Sequence, residues 1–274
     1  MENASKALII AGGILLTMAM VGLLIFAWNK FSDYYSKDDD LSSIDDLTEF
    51  NLQFTNYQRD DVHGYELISL ANKVYDYNTR KSDATGNKSN EWYNTIKMII
   101  NLNGMQDKFR YRNDLTSREL LFKNGIYSNN GIENFIQTAT GIEEAYGGSD
   151  TTTKLAKSID SLILTQDQIN YNQNYKNMSP ADSKRYAIQD YISISKDENI
   201  LNGKIINENT SEDEINAIYS NMQKKLTNDA SIMKYYEYYQ FKRGIFECNS
   251  NDITYDQSTG RVSTIKFTFT GKIE

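Results

Sequence analysis

The sequence predicts an α+β protein with an N-terminal transmembrane helix, a helical middle and a C-terminal antiparallel sheet. Residues 7–28 carry no charged side chain. Apolar residues then recur every three or four positions through most of the chain, which is the period of helices. Residues 244–273 are instead rich in β-branched and aromatic side chains, which favour strands.

These patterns divide the chain into three expected parts: a transmembrane anchor at 1–30, an amphipathic stalk helix at 31–55 and an extracytoplasmic α+β domain at 56–274. The chain of 274 residues is long enough to bury a substantial core. Its net charge of −8 gives an acidic surface that repels phosphate backbones, so nucleic acid is not expected as a partner. With one Cys and one His, neither an internal disulfide nor a usual zinc site can form. No cofactor and no metal are expected.

The uncharged run has the length of a membrane span. As a helix it would rise about 33 Å at about 1.5 Å per residue, which matches a hydrocarbon core of about 30 Å. A secretory signal has an apolar core of only about 7–15 residues. We therefore expect an uncleaved anchor, with a cleaved signal as the alternative. The residues assigned to the anchor are Ala7, Ala11, Gly12, Gly13, Leu16, Gly22 and Trp28.

Orientation and packing of the anchor follow from its flanks and its small residues. A short N-terminal tail before a large polar domain favours the N-terminus inside and the domain outside. Trp28 suits the headgroup layer. Ala7 and Ala11 have the small-xxx-small spacing that lets helices approach closely in lipid, although small residues are also common in spans generally.

The stalk continues the helical period through Leu47, Phe50 and Phe54, with a possible capped restart at Ser43. A loop at 56–64 then leads to an amphipathic helix at 65–78. The apolar face expected for that helix consists of Leu67, Leu70, Ala71, Val74 and Tyr75.

The middle of the chain alternates one strand with several helices. Ile96, Met98 and Ile100 alternate as in a strand, before a turn at residues 103–104. A short helix within 131–146 ends at two glycines. Two further helices begin at the caps Ser179 and Ser211. The last helix, 228–242, is expected to pack through Tyr235, Tyr238, Tyr239 and Lys242.

The end of the chain predicts a sheet. Ile265, Phe267 and Phe269 alternate with polar residues, as in a half-buried strand. Gly260 fits a hairpin turn that requires a positive φ. The strand near residue 98 is expected to join this sheet.

Candidate chemical groups are few. His63 is expected in a surface loop and Cys248 in the core, rather than as a catalytic pair. The acidic residues at 143–144 and 212–214 are expected in the first turns of helices, where they favour the dipole. The oxygen-bearing residues between Asn249 and Asp256 are conceivable Ca²⁺ ligands, but they are interpreted as turn formers.

Two resemblances accompany these observations. The apolar N-terminal helix, the amphipathic rod and the C-terminal sheet resemble the layout of type IV pilins and pseudopilins, over the first 54 residues and in pattern only. The stretch FNLQFTNYQRDDVHGYELISLANKVYDYN (50–78) resembles a segment of uncharacterised low-GC bacterial proteins with a short N-terminal anchor. Pilins have an acidic residue early in their apolar helix, whereas residues 7–28 have none, and no functional residue is carried over.

The expected function is that of a membrane-anchored, surface-exposed interaction or assembly subunit of a bacterium, like a pilin. Its partners would be the lipid bilayer through residues 7–28 and other protein, copies of itself included. A membrane-tethered enzyme, such as a cell-wall hydrolase using two carboxylates, is the alternative. A small-ligand receptor domain is a third hypothesis. No catalytic motif favours an enzyme.

Overall fold

The computed structural model describes Met20 and residues 44–79, 95–105, 121–127, 129–148, 150–164 and 178–274. The chain divides into two compact units, Met1–Gln53 and Phe54–Glu274. The predicted anchor lies outside the described residues apart from Met20, and so does the stalk before residue 44. No helix in the described ranges is long and apolar enough to cross a membrane.

Residues 44–55 form helix α1, which is the described part of the predicted stalk. Its apolar positions differ in exposure. Ile44 is 54% exposed, Leu47 and Phe50 are half-buried, and Phe54 is buried. The predicted restart cap at Ser43 lies outside the described residues.

Where the structure describes Phe54–Glu274, six strands form one sheet of order β1-β4-β6-β2-β3, with β5 also paired to β6. The strands are β1 (Val62–His63), β2 (Lys97–Asn101), β3 (Gly125–Tyr127), β4 (Gly244–Glu247), β5 (Ile253–Tyr255) and β6 (Val262–Ile273). The predicted C-terminal strands and the membership of the strand near residue 98 are confirmed.

The prediction of a purely antiparallel sheet is wrong, because β2 and β6 run parallel while the other pairs are antiparallel. Parallel neighbours need a long crossover, and the helices between residues 129 and 243 supply it. β2 occupies the edge of β6 that β4 and β5 leave open, since Thr264 and Thr268 each pair with β2 and also with β5 or β4.

Side chains of β6 alternate between core and surface as predicted. Ile265, Phe267 and Phe269 are buried, and Lys266 and Thr268 between them are half-buried. Gly260 has a φ of 68°, which confirms its place in the turn before β6. One face of the sheet therefore packs against the hydrophobic core.

Six further helices lie in the described residues of Phe54–Glu274. They are α2 (Gly64–Thr79), α3 (Asn129–Tyr146), α4 (Thr151–Leu162), α5 (Pro180–Ser195), α6 (Glu212–Asn228) and α7 (Ala230–Arg243), with short 3-10 turns at Glu198–Leu201 and Ser250–Asp252. The predicted caps are confirmed, because the hydroxyls of Ser179 and Ser211 accept from the N–H groups of Asp182 and Glu214. The described part of the chain is thus α+β, with a mixed sheet.

The helices pack in successive layers. α2 contacts β1, β2 and β4, and α3 contacts β3. α7 packs against α2, α3, α4 and α6, and α5 packs against α4 and α6. The ring of Phe241 at the end of α7 joins these layers, with centroids 4.2 Å from Phe122, 5.7 Å from Phe135 and 5.6 Å from Phe246.

Helix α7 is buried on nearly all sides, which differs from the single packing face predicted for it. Tyr235 and Tyr238 are buried as expected, but so are Tyr236 and Gln240, while Tyr239 is only half-buried. The hydroxyl of Tyr236 and the amide of Gln240 donate to the carboxylate of Asp160 on α4, at 2.8 and 2.9 Å. These bonds let polar side chains enter the core between α4 and α7.

Candidate interaction surface

His63 and Cys248, the two candidates for nucleophilic chemistry, both make contacts that stabilise the fold. His63 lies in β1 and is half-buried, so its predicted place in a surface loop is wrong. Its ring is stacked on Tyr65 with centroids 5.2 Å apart, and its backbone N–H donates to the carboxylate of Glu66. Cys248 is buried directly after β4, where its N–H donates to the carbonyl of Arg59 at 2.8 Å. Burial raises the pKa of Cys248 to about 12. A thiol with that pKa is almost wholly protonated at neutral pH and is a poor nucleophile.

The two groups of acidic residues fall at opposite ends of their helices. Glu212, Asp213 and Glu214 lie in the first turn of α6, as predicted. Glu143 and Glu144 lie near the C-terminal end of α3, so their predicted place in a first turn is wrong, because the helix begins at Asn129. Glu143 instead lies 3.8 Å from the ammonium of Lys242.

In the segment from Asn249 to Asp256, the two carboxylates bind to nearby backbone and side-chain groups. Asp252 accepts from the N–H of Asn249 at 2.9 Å and pairs with Lys266 at 3.3 Å. Asp256 accepts from the N–H groups of Ser258 and Thr259, and its bonds with Ser258 help to lower the pKa of Asp256. These contacts support their interpretation as turn formers. Within the described ranges, no three His, Cys, Asp or Glu side chains are placed to hold a metal ion.

A groove of about 780 Å³ lies between the C-terminal half of α5 and the loop that leads to α6. We call it the 189–206 groove, after its first and last lining residues. Its aliphatic lining consists of Ile192, Leu201, Ile205 and Ile206, and its amides are Gln189, Asn199 and Asn202. Ile205 is 81% exposed, more than any other large apolar side chain in the described ranges.

A tight turn shapes the floor of the groove. The 3-10 turn ends at Leu201, and Asn202 and Gly203 follow with φ values of 50° and 74°. The N–H of Lys204 donates to the carbonyl of Leu201 at 3.0 Å. Two positive φ values in succession characterise a type I′ turn, for which Asn-Gly is the favoured pair. The turn therefore sends the chain back along the groove and presents Ile205 at its rim.

Three contacts fix this loop to the helices beside it. Asp197 accepts from the hydroxyl of Tyr191 at 3.3 Å and forms an ion pair with Lys225. The hydrogen bond from Lys225 holds the pKa of Asp197 below its usual value. Further along, Lys204 pairs with Glu214 at 2.6 Å. These contacts attach the loop to α5 and α6 on both sides of the turn.

Between the groove and α6, one arginine binds the connecting loop to α5. The guanidinium of Arg185 pairs with Asp182 on its own helix. It also donates to the carbonyls of Glu208 and Thr210, at 3.4 and 3.2 Å. The loop is therefore attached to α5 beyond the groove as well as within it.

The groove has the chemistry of a binding surface. Its lining offers aliphatic contacts, amide donors and acceptors, and the two charges of Glu198 and Lys204. Neither His63 nor Cys248 lines it. Sequence reasoning missed this surface, although the signal was present: Leu201, Ile205 and Ile206 interrupt an otherwise polar connection between two well-capped helices.

The residues assigned to the anchor, Ala7, Ala11, Gly12, Gly13, Leu16, Gly22 and Trp28, lie outside the described residues. Comparison of the sequence with models of protein families, with curated proteins and with solved structures gives no match.

Proposed function

We propose that this chain is a membrane-tethered interaction or assembly subunit. Residues 7–28 hold it in the cell membrane with the N-terminus inside, and the unit Phe54–Glu274 stands in the aqueous phase outside. There it contacts other protein, copies of itself included. The observation that carries the proposal is the uncharged run at 7–28 ahead of a separate compact unit.

The surroundings of the reactive side chains favour binding over catalysis. Cys248 is buried, and burial raises its pKa to about 12. Asp160, Asp197 and Asp252 accept hydrogen bonds that stabilise the fold. The 189–206 groove, by contrast, presents aliphatic and amide groups to solvent. Aliphatic and amide groups can bind a partner, but they do not act as nucleophiles or general acids.

Extraction of bacterial membranes at alkaline pH tests the tether. We expect the full chain to stay in the pellet after a carbonate wash, as an integral protein does. The double variant Leu16→Arg, Met20→Arg should appear in the supernatant, since each arginine at the centre of a span costs about 2.5–3.5 kcal/mol. The control is Leu16→Ile, Met20→Leu, which keeps the run apolar and should stay in the pellet.

Two results would contradict this proposal. One is release of the unaltered chain by carbonate. The other is a mature N-terminus downstream of Trp28, which would mean that the run is a cleaved signal.

A further inference from the structure

We propose that the 189–206 groove binds an extended peptide segment in which aliphatic and basic side chains alternate. The inference rests on the proposed function as an interaction protein and specifies the chemistry of one partner. Side chains of an extended peptide point alternately to two sides, so one side can face the aliphatic wall and the other the carboxylate of Glu198.

The aliphatic wall favours peptide over sugar. Ile192, Leu201 and Ile206 line the groove and Ile205 stands 81% exposed at its rim. A large apolar side chain exposed to that degree gains most when a partner covers it. None of the described lining residues is aromatic, so the flat ring faces on which sugars stack are missing from this lining. Branched side chains such as leucine fit this wall better.

The amides of the groove suit a peptide backbone. Gln189, Asn199 and Asn202 each carry one carbonyl and one NH₂ group. An extended segment presents unpaired N–H and C=O groups along its length, and these amides can both donate to it and accept from it.

The charge of the groove favours a peptide with basic side chains. The lining contains one acid, Glu198, and one base, Lys204. Lys204 is already neutralised by Glu214 at 2.6 Å, which leaves Glu198 to set the sign of the groove. Beside the lining residues in the sequence, Asp190 and Glu208 are exposed acids and Lys196 is an exposed base, so the acids remain in excess. A cationic peptide is therefore attracted and an anionic one repelled.

The groove is already shaped for binding. Asp197 is held by Tyr191 and Lys225, and the turn at Asn202–Gly203 is closed by its backbone hydrogen bond. Little ordering of the protein is then required when a peptide docks, so modest contacts suffice for measurable affinity.

Fluorescence anisotropy on the full chain in lipid nanodiscs tests the inference. The probes are labelled seven-residue peptides that alternate Leu with Lys, Leu with Glu, or Ser with Lys, in salt near the physiological value. We expect the Leu–Lys peptide to bind about tenfold more tightly than either of the others. Ile205→Asn should weaken its binding about tenfold, and Glu198→Gln should reduce the preference for Lys over Glu several-fold.

Matched controls locate the site. Ile126→Asn changes an isoleucine that is 67% exposed on β3, and Glu212→Gln removes an exposed carboxylate from the first turn of α6. Both controls should bind the Leu–Lys peptide as the unaltered chain does. Circular dichroism of each variant verifies that its fold is intact.

Several outcomes would overturn the inference. Equal binding of the Ser–Lys and Leu–Lys peptides would mean adsorption by charge alone. Undiminished binding by Ile205→Asn and Glu198→Gln would place the peptide elsewhere, and displacement of the peptide by a chito-oligosaccharide would point to sugar. Absence of Leu–Lys binding would also refute it. A chain that resists carbonate extraction yet binds no peptide would refute this inference alone and leave the proposed tether standing.

Discussion

Replacement of Gly64 by alanine is expected to destabilise the unit Phe54–Glu274 by about 3 kcal/mol, at the upper end of the range for overpacked cores. Gly64 begins α2 beside the C-terminal end of α7. A Cβ atom built on it would lie 1.8 Å from the carbonyl oxygen of Phe241. That oxygen belongs to the backbone of a buried helix, so relief requires the two helices to separate.

Gly141→Ala is the matched control for this prediction. Gly141 lies inside α3 on its exposed side, and a Cβ there meets no atom within 4 Å. Alanine should stabilise the helix by about 0.5–1 kcal/mol. Urea unfolding of the full chain in detergent, followed by circular dichroism, measures both variants. Similar midpoints for the two would show that α2 and α7 do not approach so closely.

Asn78→Ala is expected to cost about 2–4 kcal/mol, because it leaves two buried backbone groups without partners. Asn78 is buried at the end of α2. Its side-chain amide donates to the carbonyl of Ile96 at 3.0 Å, and its side-chain carbonyl accepts from the N–H of Ile96 at 2.9 Å. These two bonds attach the start of β2 to α2, and alanine removes both.

The same substitution elsewhere in α2 provides the control. The amide of Asn72 donates to the carbonyl of Ile68 at 3.1 Å on the exposed side of the helix, where water can replace it. Asn72→Ala should therefore change the free energy of unfolding by less than about 0.5 kcal/mol. Comparable losses for Asn72→Ala and Asn78→Ala would contradict the role assigned to Asn78.

Local sequence signals predicted much of this fold. The caps at Ser179 and Ser211 and the alternation in β6 all appear as expected, because each depends on neighbours within a few residues. Leu67, Leu70, Ala71 and Val74 are buried on one face of α2, as its period indicates, while Tyr75, also predicted on that face, is half-buried.

Features that depend on distant residues were not predictable in this way. The parallel pairing of β2 with β6 joins Ile99 to Lys266, which no local pattern specifies. β3 is only three residues long, too short for its period to be recognised. The burial of Tyr236 and Gln240 in α7 depends on Asp160, a partner on another helix.

The groove was missed for a related reason. Ile205 lies in a polar connection, and sequence alone assigns such segments to solvent without indicating which side chains converge. Only the positions of α5, the turn at Asn202–Gly203 and the ion pair of Lys204 with Glu214 bring the lining together.

The most direct test of the tethered, outward-facing unit is labelling of intact cells with a membrane-impermeant maleimide. Two single-cysteine additions are compared: Lys154→Cys on the exposed side of α4, and Asn3→Cys ahead of the uncharged run. Cys248 can remain, since it is buried and its pKa is raised to about 12. We predict that Lys154→Cys reacts in intact cells and Asn3→Cys reacts only after permeabilisation. Reaction of Asn3→Cys alone in intact cells, or of neither before lysis, would contradict the account.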